Sequence, residues 1–486
     1  MSITFNEIGQ VKTPGVYCEI DNSLAIQGLT GKESCGLFIG RKSSNGTAEF
    51  NKVYPIYNST TAAKLGGIGS ELHRAAIEWV KLNPYNALKL AAVEQKDGQA
   101  AAYTLEITAE SAKAGEVYLM IAGISFTIDV SESMSAEDLA AAIIDAVNEE
   151  LTCPVTAAKG EGNNKVVLTA KNKGTAGNDI DVRLNYYSSQ ETAEGVVINI
   201  SQTAEGSVNA SLEDTIAALG DEYFTDMATT LTDEANLKLL RTMLDKRFSA
   251  MIRNESTLYL AEKGTMSDLM TLSEKMNSPH IVLAENYQTP TEPFIRAMRL
   301  AAICAREAQL DPARQYRTLV LEDDLPANKP LTASERDILL SHGVATFITD
   351  SSGNVAIERI TTTYQKSSLG SKDESYLDLT TIKTLIYLRW SYVERMQLKY
   401  PRHKLAGDNY EVQPGQAIAT PKVIAAEALA LAKDWLAAGL IEEYDSFKDS
   451  MVTERNALDV NRIDQLLRPD IINNLMVIAC KIQFKL

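Results

Sequence analysis

Residues 477–486 read V-I-A-C-K-I-Q-F-K-L and close the sequence. In an extended chain Ile478, Cys480, Ile482, Phe484 and Leu486 fall on one face, and Lys481, Gln483 and Lys485 on the other. Such a strand demands a partner, because its backbone groups and its apolar face are both unsatisfied when it stands alone. The other end makes the same demand. After the turn signal Thr13-Pro14-Gly15, Val16, Cys18 and Ile20 alternate with Tyr17, Glu19 and Asp21. Two arrangements satisfy both strands: they pair inside one subunit, or each adds to a sheet of a neighbouring copy.

At 486 residues the chain exceeds one ordinary core, and about three domains are expected. The apolar and charged shares, 45% and 23%, are those of a globular protein. With 47 basic against 64 acidic residues, the net charge of −17 argues against nonspecific nucleic-acid binding as the main activity. Cysteines 18, 35, 153, 304 and 480 are scattered and odd in number, with no CxxC pair, which fits a reducing compartment. No basic start followed by an apolar run suggests a signal peptide. No stretch approaches the ~20 apolar residues of a membrane span, so no membrane insertion is expected.

The pattern changes several times along the chain. Residues 1–24 read as an arm. Residues 25–85 hold a buried strand, Gly36-Leu37-Phe38-Ile39-Gly40, and a helix capped by Ser70 that stops at Asn83-Pro84. From about 86 to 209 short alternating strands and polar turns dominate, interrupted by one helix behind Ser135, as in a self-contained β-rich domain inserted into another. Residues 211–316 alternate strands with helices near 233–250, 265–276 and 291–309, the mark of an α/β layer. A hairpin is expected around Ser351-Ser352-Gly353-Asn354, and long helices at about 378–398 and 421–438. The fold class is thus mixed α+β and α/β, with mixed-sheet core domains, a β-rich insertion and extended strands at both ends.

The chain offers little chemistry. Histidines 73, 280, 342 and 403 lie far apart, without metal-ligand spacing. Gly31-Lys32 lacks the first glycine and the Ser or Thr of a phosphate loop, and Glu33 would repel phosphate. Gly66-Gly67-Ile68-Gly69 precedes a helix, but Glu71 places an acid where an anion would sit. Glu322-Asp323-Asp324 is the best carboxylate cluster, read as a solvated loop or a contact with a basic surface. Lys399-Tyr400-Pro401-Arg402-His403 closes a helix with positive charge, as the helix dipole favours. No catalytic, cofactor or metal residues are assigned.

Several longer stretches carry a resemblance. The opening T-P-G-V-Y-C-E-I-D-N-S-L-A (13–25) resembles the N-terminal arm of contractile-tail sheath proteins of the phage Mu type. The similarity is denser in G-N-V-A-I-E-R-I-T-T-T-Y-Q (353–365), S-Y-L-D-L-T-T-I-K-T-L-I-Y-L-R (375–389), K-Y-P-R-H-K-L-A (399–406) and E-R-N-A-L-D-V-N-R-I-D-Q-L-L-R-P-D-I-I-N-N-L (454–475), and it includes the closing I-Q-F-K-L. The resemblance implies a non-enzymatic structural subunit that stacks as hexameric rings around an inner tail tube. Baseplate and tail terminator are the further partners, and the place is the virion tail, assembled in the host bacterial cytoplasm. It implies a linking arm at 1–24, a core domain from 25–85 and 210–352, and an outer inserted domain at 86–209. A tube-facing domain follows at 353–475, then a linking strand at 476–486. The intersubunit residues would be Val16, Tyr17, Cys18, Glu19, Ile20 and Asp21 at one end, and Cys480, Lys481, Ile482, Gln483, Phe484, Lys485 and Leu486 at the other. Competing readings are the sheath of a phage-derived bacteriocin particle, an α/β enzyme built on 211–316, and a binding protein that recognises through 86–209.

Overall fold

A computed structural model describes residues 32–485. Strand β1 (Gly36–Gly40) is buried along its whole length. It is followed by β2 (Val53–Ile56), helices α1 (Ser59–Gly66) and α2 (Glu71–Leu82), and β3 (Leu88–Ala92). The Ser70 hydroxyl caps α2 by accepting from the His73 N–H at 3.2 Å. At Gly36 the indole of Trp79 packs so close that an added Cβ would lie 2.7 Å from the ring, so no larger residue fits there.

The chain then leaves this sheet and builds a second unit from β4 (Ala102–Ala109), β5 (Gly115–Ile121), β6 (Ile124–Val130), α3 (Ala136–Glu149), β7 (Val155–Lys159), β8 (Lys165–Ala170), β9 (Val182–Leu184) and β10 (Val196–Ala204). Its four-stranded sheet runs β10-β4-β8-β7 and its three-stranded sheet β6-β5-β9. Period-2 alternation aims Leu105, Ile107, Val117, Leu119, Phe126, Leu168 and Ile198 into a core of their own, closed by Ile143 and Val147 of α3.

Re-entry begins at α4 (Glu213–Leu219) and continues through β11 (Asp226–Thr229), α5 (Glu234–Phe248), β12 (Thr257–Glu262), α6 (Met266–Met276), β13 (Ile281–Glu285), α7 (Pro293–Leu310), α8 (Ala333–Ser341), β14 (Val344–Thr349) and β15 (Val355–Arg359). The eight strands order as β15-β14-β13-β12-β11-β1-β3-β2. The pairs from β3 to β14 are parallel, and the two outermost pairs are antiparallel. Helices cover both faces, as buried parallel strands require. Phe38, Leu90, Tyr259 and Val282 face α2 and α7. Leu37, Met227, Leu260 and Leu283 face α5, α6 and α8.

Two strands fall outside the limits that composition suggests. Leu88–Ala92 lies past the compositional shift near Asn86, yet it pairs in parallel with β1. Four of its five residues are apolar and buried, while Lys89 reaches the sheet's rim and pairs with Glu222. Likewise Val355–Arg359 follows residue 352 but forms the sheet's edge against β14.

The remaining part holds α9 (Leu379–Lys399), the short pair β16 (Lys404–Leu405) and β17 (Ile418–Ala419), α10 (Pro421–Ala437), β18 (Ile441–Glu442), α11 (Tyr444–Ser450), β19 (Val452–Arg455), β20 (Ile463–Leu466) and β21 (Asp470–Ile471). Tyr387, Leu431, Trp435, Ile441 and Phe447 form its core.

Candidate linking site

The C-terminal segment is rooted firmly and then released. Strand β21 pairs antiparallel with β18, and the Ile472 N–H continues that contact to the Leu440 carbonyl at 3.1 Å. The Asn474 amide donates to the Ala313 carbonyl at 2.6 Å and accepts from the Thr380 hydroxyl at 2.7 Å. Gln315 donates to the Leu475 carbonyl at 2.7 Å. From Val477 to Lys485 no residue lies in a strand, and none hydrogen-bonds another described residue. Ile482 is 85% exposed and Phe484 81%. The folded body thus carries a segment of alternating sequence, not itself in a strand, with its apolar side chains exposed.

Of the residues expected to link, Cys480, Lys481, Ile482, Gln483, Phe484 and Lys485 sit on this open segment. Leu486 and Val16, Tyr17, Cys18, Glu19, Ile20 and Asp21 lie outside the described residues. Cys480 is exposed, whereas Cys35, Cys153 and Cys304 are buried. Burial pushes the Cys35 thiol up to about 11.

The N-terminal side becomes describable at Lys32. Its ammonium donates to Glu255 at 2.8 Å, and Glu255 is also within 2.5 Å of the Arg389 guanidinium on α9. The second contact is an ion pair by proximity, without the alignment of a directed hydrogen bond. Burial raises the Glu255 pKa, but the Lys32 contact and then Arg389 outweigh it, holding the carboxyl below its ordinary range. Burial in turn pulls the Lys32 ammonium down.

A small sheet with unpaired edges among the described residues stands nearby in sequence. Strands β19 and β20 form a two-stranded sheet in the register Val452↔Leu466 to Arg455↔Ile463, and neither outer edge pairs with a described strand. The hairpin tip carries Leu458, 98% exposed. Apart from Val452 and Thr453, this hairpin lies inside the stretch 454–475 that carries the resemblance. Its own signal, Val452-Thr453-Glu454-Arg455 against Ile463-Asp464-Gln465-Leu466, is too short and too polar to stand out.

The other sequence candidates are absorbed by the fold. Asp324 is buried between Arg296 and Arg299, at 2.7 and 3.1 Å, while Asp323 and Glu322 pair with Lys81. The acidic cluster therefore meets basic residues of its own chain. Lys399 and Tyr400 both bond Glu427. His73 accepts from the Gly69 N–H at 3.1 Å, so the glycine-rich turn is tied to its own helix. His280 stacks on Phe248, and burial lowers its pKa to about 4. Among the described residues no three His, Cys, Asp or Glu side chains gather to hold a metal ion, and no helix is long and apolar enough to cross a membrane.

Comparison with known proteins agrees with the architecture. Residues 205–363 match the phage tail sheath protein central domain, and residues 371–485 match the phage tail sheath C-terminal domain. The Mu-like prophage FluMu tail sheath protein of Haemophilus influenzae is 32% identical over 488 aligned residues, covering 100% of both chains. Among solved structures, the helical sheath of the anti-feeding prophage in its contracted state superposes with a TM-score of 0.50 at 10% identity, covering 97% of this chain and 99% of that one. The sheath complex of an extracellular contractile injection system, also contracted, gives 0.50 at 8% identity, covering 98% of each. These two likenesses concern the fold.

Proposed function

The chain belongs to the phage tail sheath family and is a structural subunit of a contractile tail, and from that premise we propose how it joins its copies. The open segment 477–486 leaves its own subunit and adds as a strand to the sheet of a neighbour. The segment around Val16–Asp21 does the same from the other end. The hairpin β19–β20 offers the acceptor edges. One observation carries this reading: a strand-patterned apolar segment is bonded to the body through Met476 and bonded to nothing described from Val477 to Lys485.

A strand of about five residues makes only a few backbone bonds, each worth roughly 0.5–1.5 kcal/mol net. Burial of Ile478, Ile482 and Phe484 adds about 1.5–3 kcal/mol per side chain. Repetition around every ring then turns modest links into a stable lattice. Subunits stack as hexameric rings around an inner tube, held between baseplate and terminator. Assembly takes place in the host cytoplasm, and contraction drives the tube through a cell envelope. The part after β15, from about residue 360 to 475, faces the tube, and the second unit, β4 to β10, projects outward as the inserted domain. Contraction is a switch between two packings of near-rigid subunits, with the links persisting through it. Its energy comes from assembly, so no nucleotide site is required.

Cys480 provides the test. A maleimide read at the Cys480 peptide should label free subunits at least tenfold faster than assembled sheaths. Equal rates in the two states would sink the reading, because an added strand buries its apolar face.

A further inference from the structure

We infer that helix α9 is a strut joining the roots of both linking segments, with Glu255 as the residue that positions the N-terminal one. The inference rests on the proposal that both chain ends link subunits. Lys32 is the first residue of the described chain, and four residues later the backbone enters β1, the strand between β11 and β3 in the main sheet. Glu255, 3% exposed, takes the Lys32 ammonium on one oxygen and the Arg389 guanidinium on the other. Arg389 also donates to the Phe248 carbonyl at 2.9 Å and lies 4.3 Å over the Phe248 ring. Lys32 is thereby tied sideways to α9.

The other root reaches the same helix. Asn474 accepts from Thr380 in the first turn of α9, three residues before the segment leaves the body. Thr380 and Arg389 are nine residues apart, about 14 Å along the axis and two and a half turns, so they project from opposite sides. Between them Lys383 bonds Asp226 at 2.7 Å, and the Tyr259 hydroxyl donates to the same Asp226 oxygen at 2.8 Å. At the helix start Arg359 grips Asp378 with two bonds of 2.9 Å. The helix is fixed to the sheet and cannot slide. A pull on one link therefore passes through α9 to the other link, and the subunit turns as one body about the two roots.

The test loosens each root separately. Lys32→Gln removes the ion pair of the N-terminal root, Asn474→Ala removes the tie of the C-terminal root to Thr380 and Ala313, and Glu255→Gln removes the shared carboxylate charge. In free subunits, trypsin should cut after Lys32 at least tenfold faster in Glu255→Gln than in the wild type. In sheaths assembled on tube and baseplate, all three variants should form extended particles. On triggering, the fraction that contracts as one continuous sheath should fall at least threefold, equally for Lys32→Gln and Asn474→Ala. Continuous contraction at the wild-type frequency in either of these two overturns the strut, as does unchanged trypsin cleavage in Glu255→Gln. Should Glu255→Gln fail to fold, the other two still decide. A chain lacking 477–486 separates the strut from the reading beneath it. If that chain assembles normally, linkage itself is wrong, whereas failed assembly beside normal contraction of the root variants overturns the strut alone.

Discussion

The main sheet and the C-terminal segment treat their unsatisfied groups in opposite ways. Inside the sheet layer, charged side chains are neutralised within the chain. Arg41 meets Glu71 at 3.0 Å, Asp324 sits between two guanidinium groups, and Asp226 holds Lys383 and Tyr259. Segment 477–485 keeps its apolar face and its backbone groups open. On the proposed linkage, folding stability and linking capacity are held by different residues, and the links can form after the subunit has folded. Variants that separate the two properties sharpen the contrast, and any variant that moves both at once breaks it.

Removing residues 477–486 should have the largest effect. Assembly should be abolished, with no tubes or rings visible by electron microscopy, while the melting temperature of the free subunit stays within about 1 °C of the wild type. Residues 477–485 are exposed and hydrogen-bond no described residue, so their loss uncovers little of the described core. A truncated chain that melts several degrees lower would show the segment to be part of the fold.

The converse substitution is Asp226→Ala. It leaves Lys383 buried without its counter-charge and strips the Tyr259 hydroxyl of its acceptor. Breaking a buried pair from one side costs about 3–5 kcal/mol. Denaturant midpoints should report that loss, and whatever protein remains folded should still assemble. A loss below 1 kcal/mol would mean that the pair adds little to the fold.

Local signals made much of this fold readable. The Ser70 cap and the Asn83-Pro84 stop bound the helix found at Glu71–Leu82, and Thr265 with Asp268 forms the capping box of Met266–Met276. The hairpin turn at Ser351-Ser352-Gly353-Asn354 joins β14 to β15, with Gly353 at φ +86°. The alternation of Ile478, Cys480, Ile482 and Phe484 marked the open segment itself. What was illegible is nonlocal. Lys32 and Glu255 are separated by 223 positions, and Asn474 and Thr380 by 94, with no spacing to announce either contact. Leu88–Ala92 was hidden for a different reason: five residues are too few for their own pattern to say which sheet they join.

A smaller effect comes from an exception within the folded body. The Glu262 carboxylate, at the end of β12, has no ion pair or hydrogen bond with a described residue. Burial, and then the nearby Asp179 and Asp268, raise it to about 7 from an ordinary 4.5. An acid whose folded pKa lies above its unfolded one holds its proton more tightly when folded. Its contribution is thus full below about pH 4.5 and is lost as pH climbs through 7. Glu262→Gln should raise stability at pH 8 by about 1–2 kcal/mol and leave it unchanged at pH 4.5. Equal gains at both pH values would point to packing instead of titration. Assembly at neutral pH should not respond, since this group lies in the body and not on the link.

The smallest expected effect per contact lies on the polar face of the link. Glu19 and Asp21 lie in one terminal segment, and Lys481 and Lys485 in the other. If these segments meet in one shared sheet, opposite charges favour the correct register and like charges oppose it. Each exposed pair is worth only about 0.2–1 kcal/mol. Lys481→Glu with Lys485→Glu should leave the melting temperature of the subunit unchanged, because both side chains are exposed and pair with no described residue. Tube yield at low salt should fall severalfold, since a weak penalty recurs at every link. Raising the salt to about 0.5 M should bring variant and wild type together as screening shortens the reach of both attraction and repulsion. Adding Glu19→Lys and Asp21→Lys to the swapped chain should restore its yield at low salt. Normal assembly of the singly swapped chain at low salt would exclude charge as a register device and leave the apolar face of Ile478, Ile482 and Phe484 as what sets the alignment.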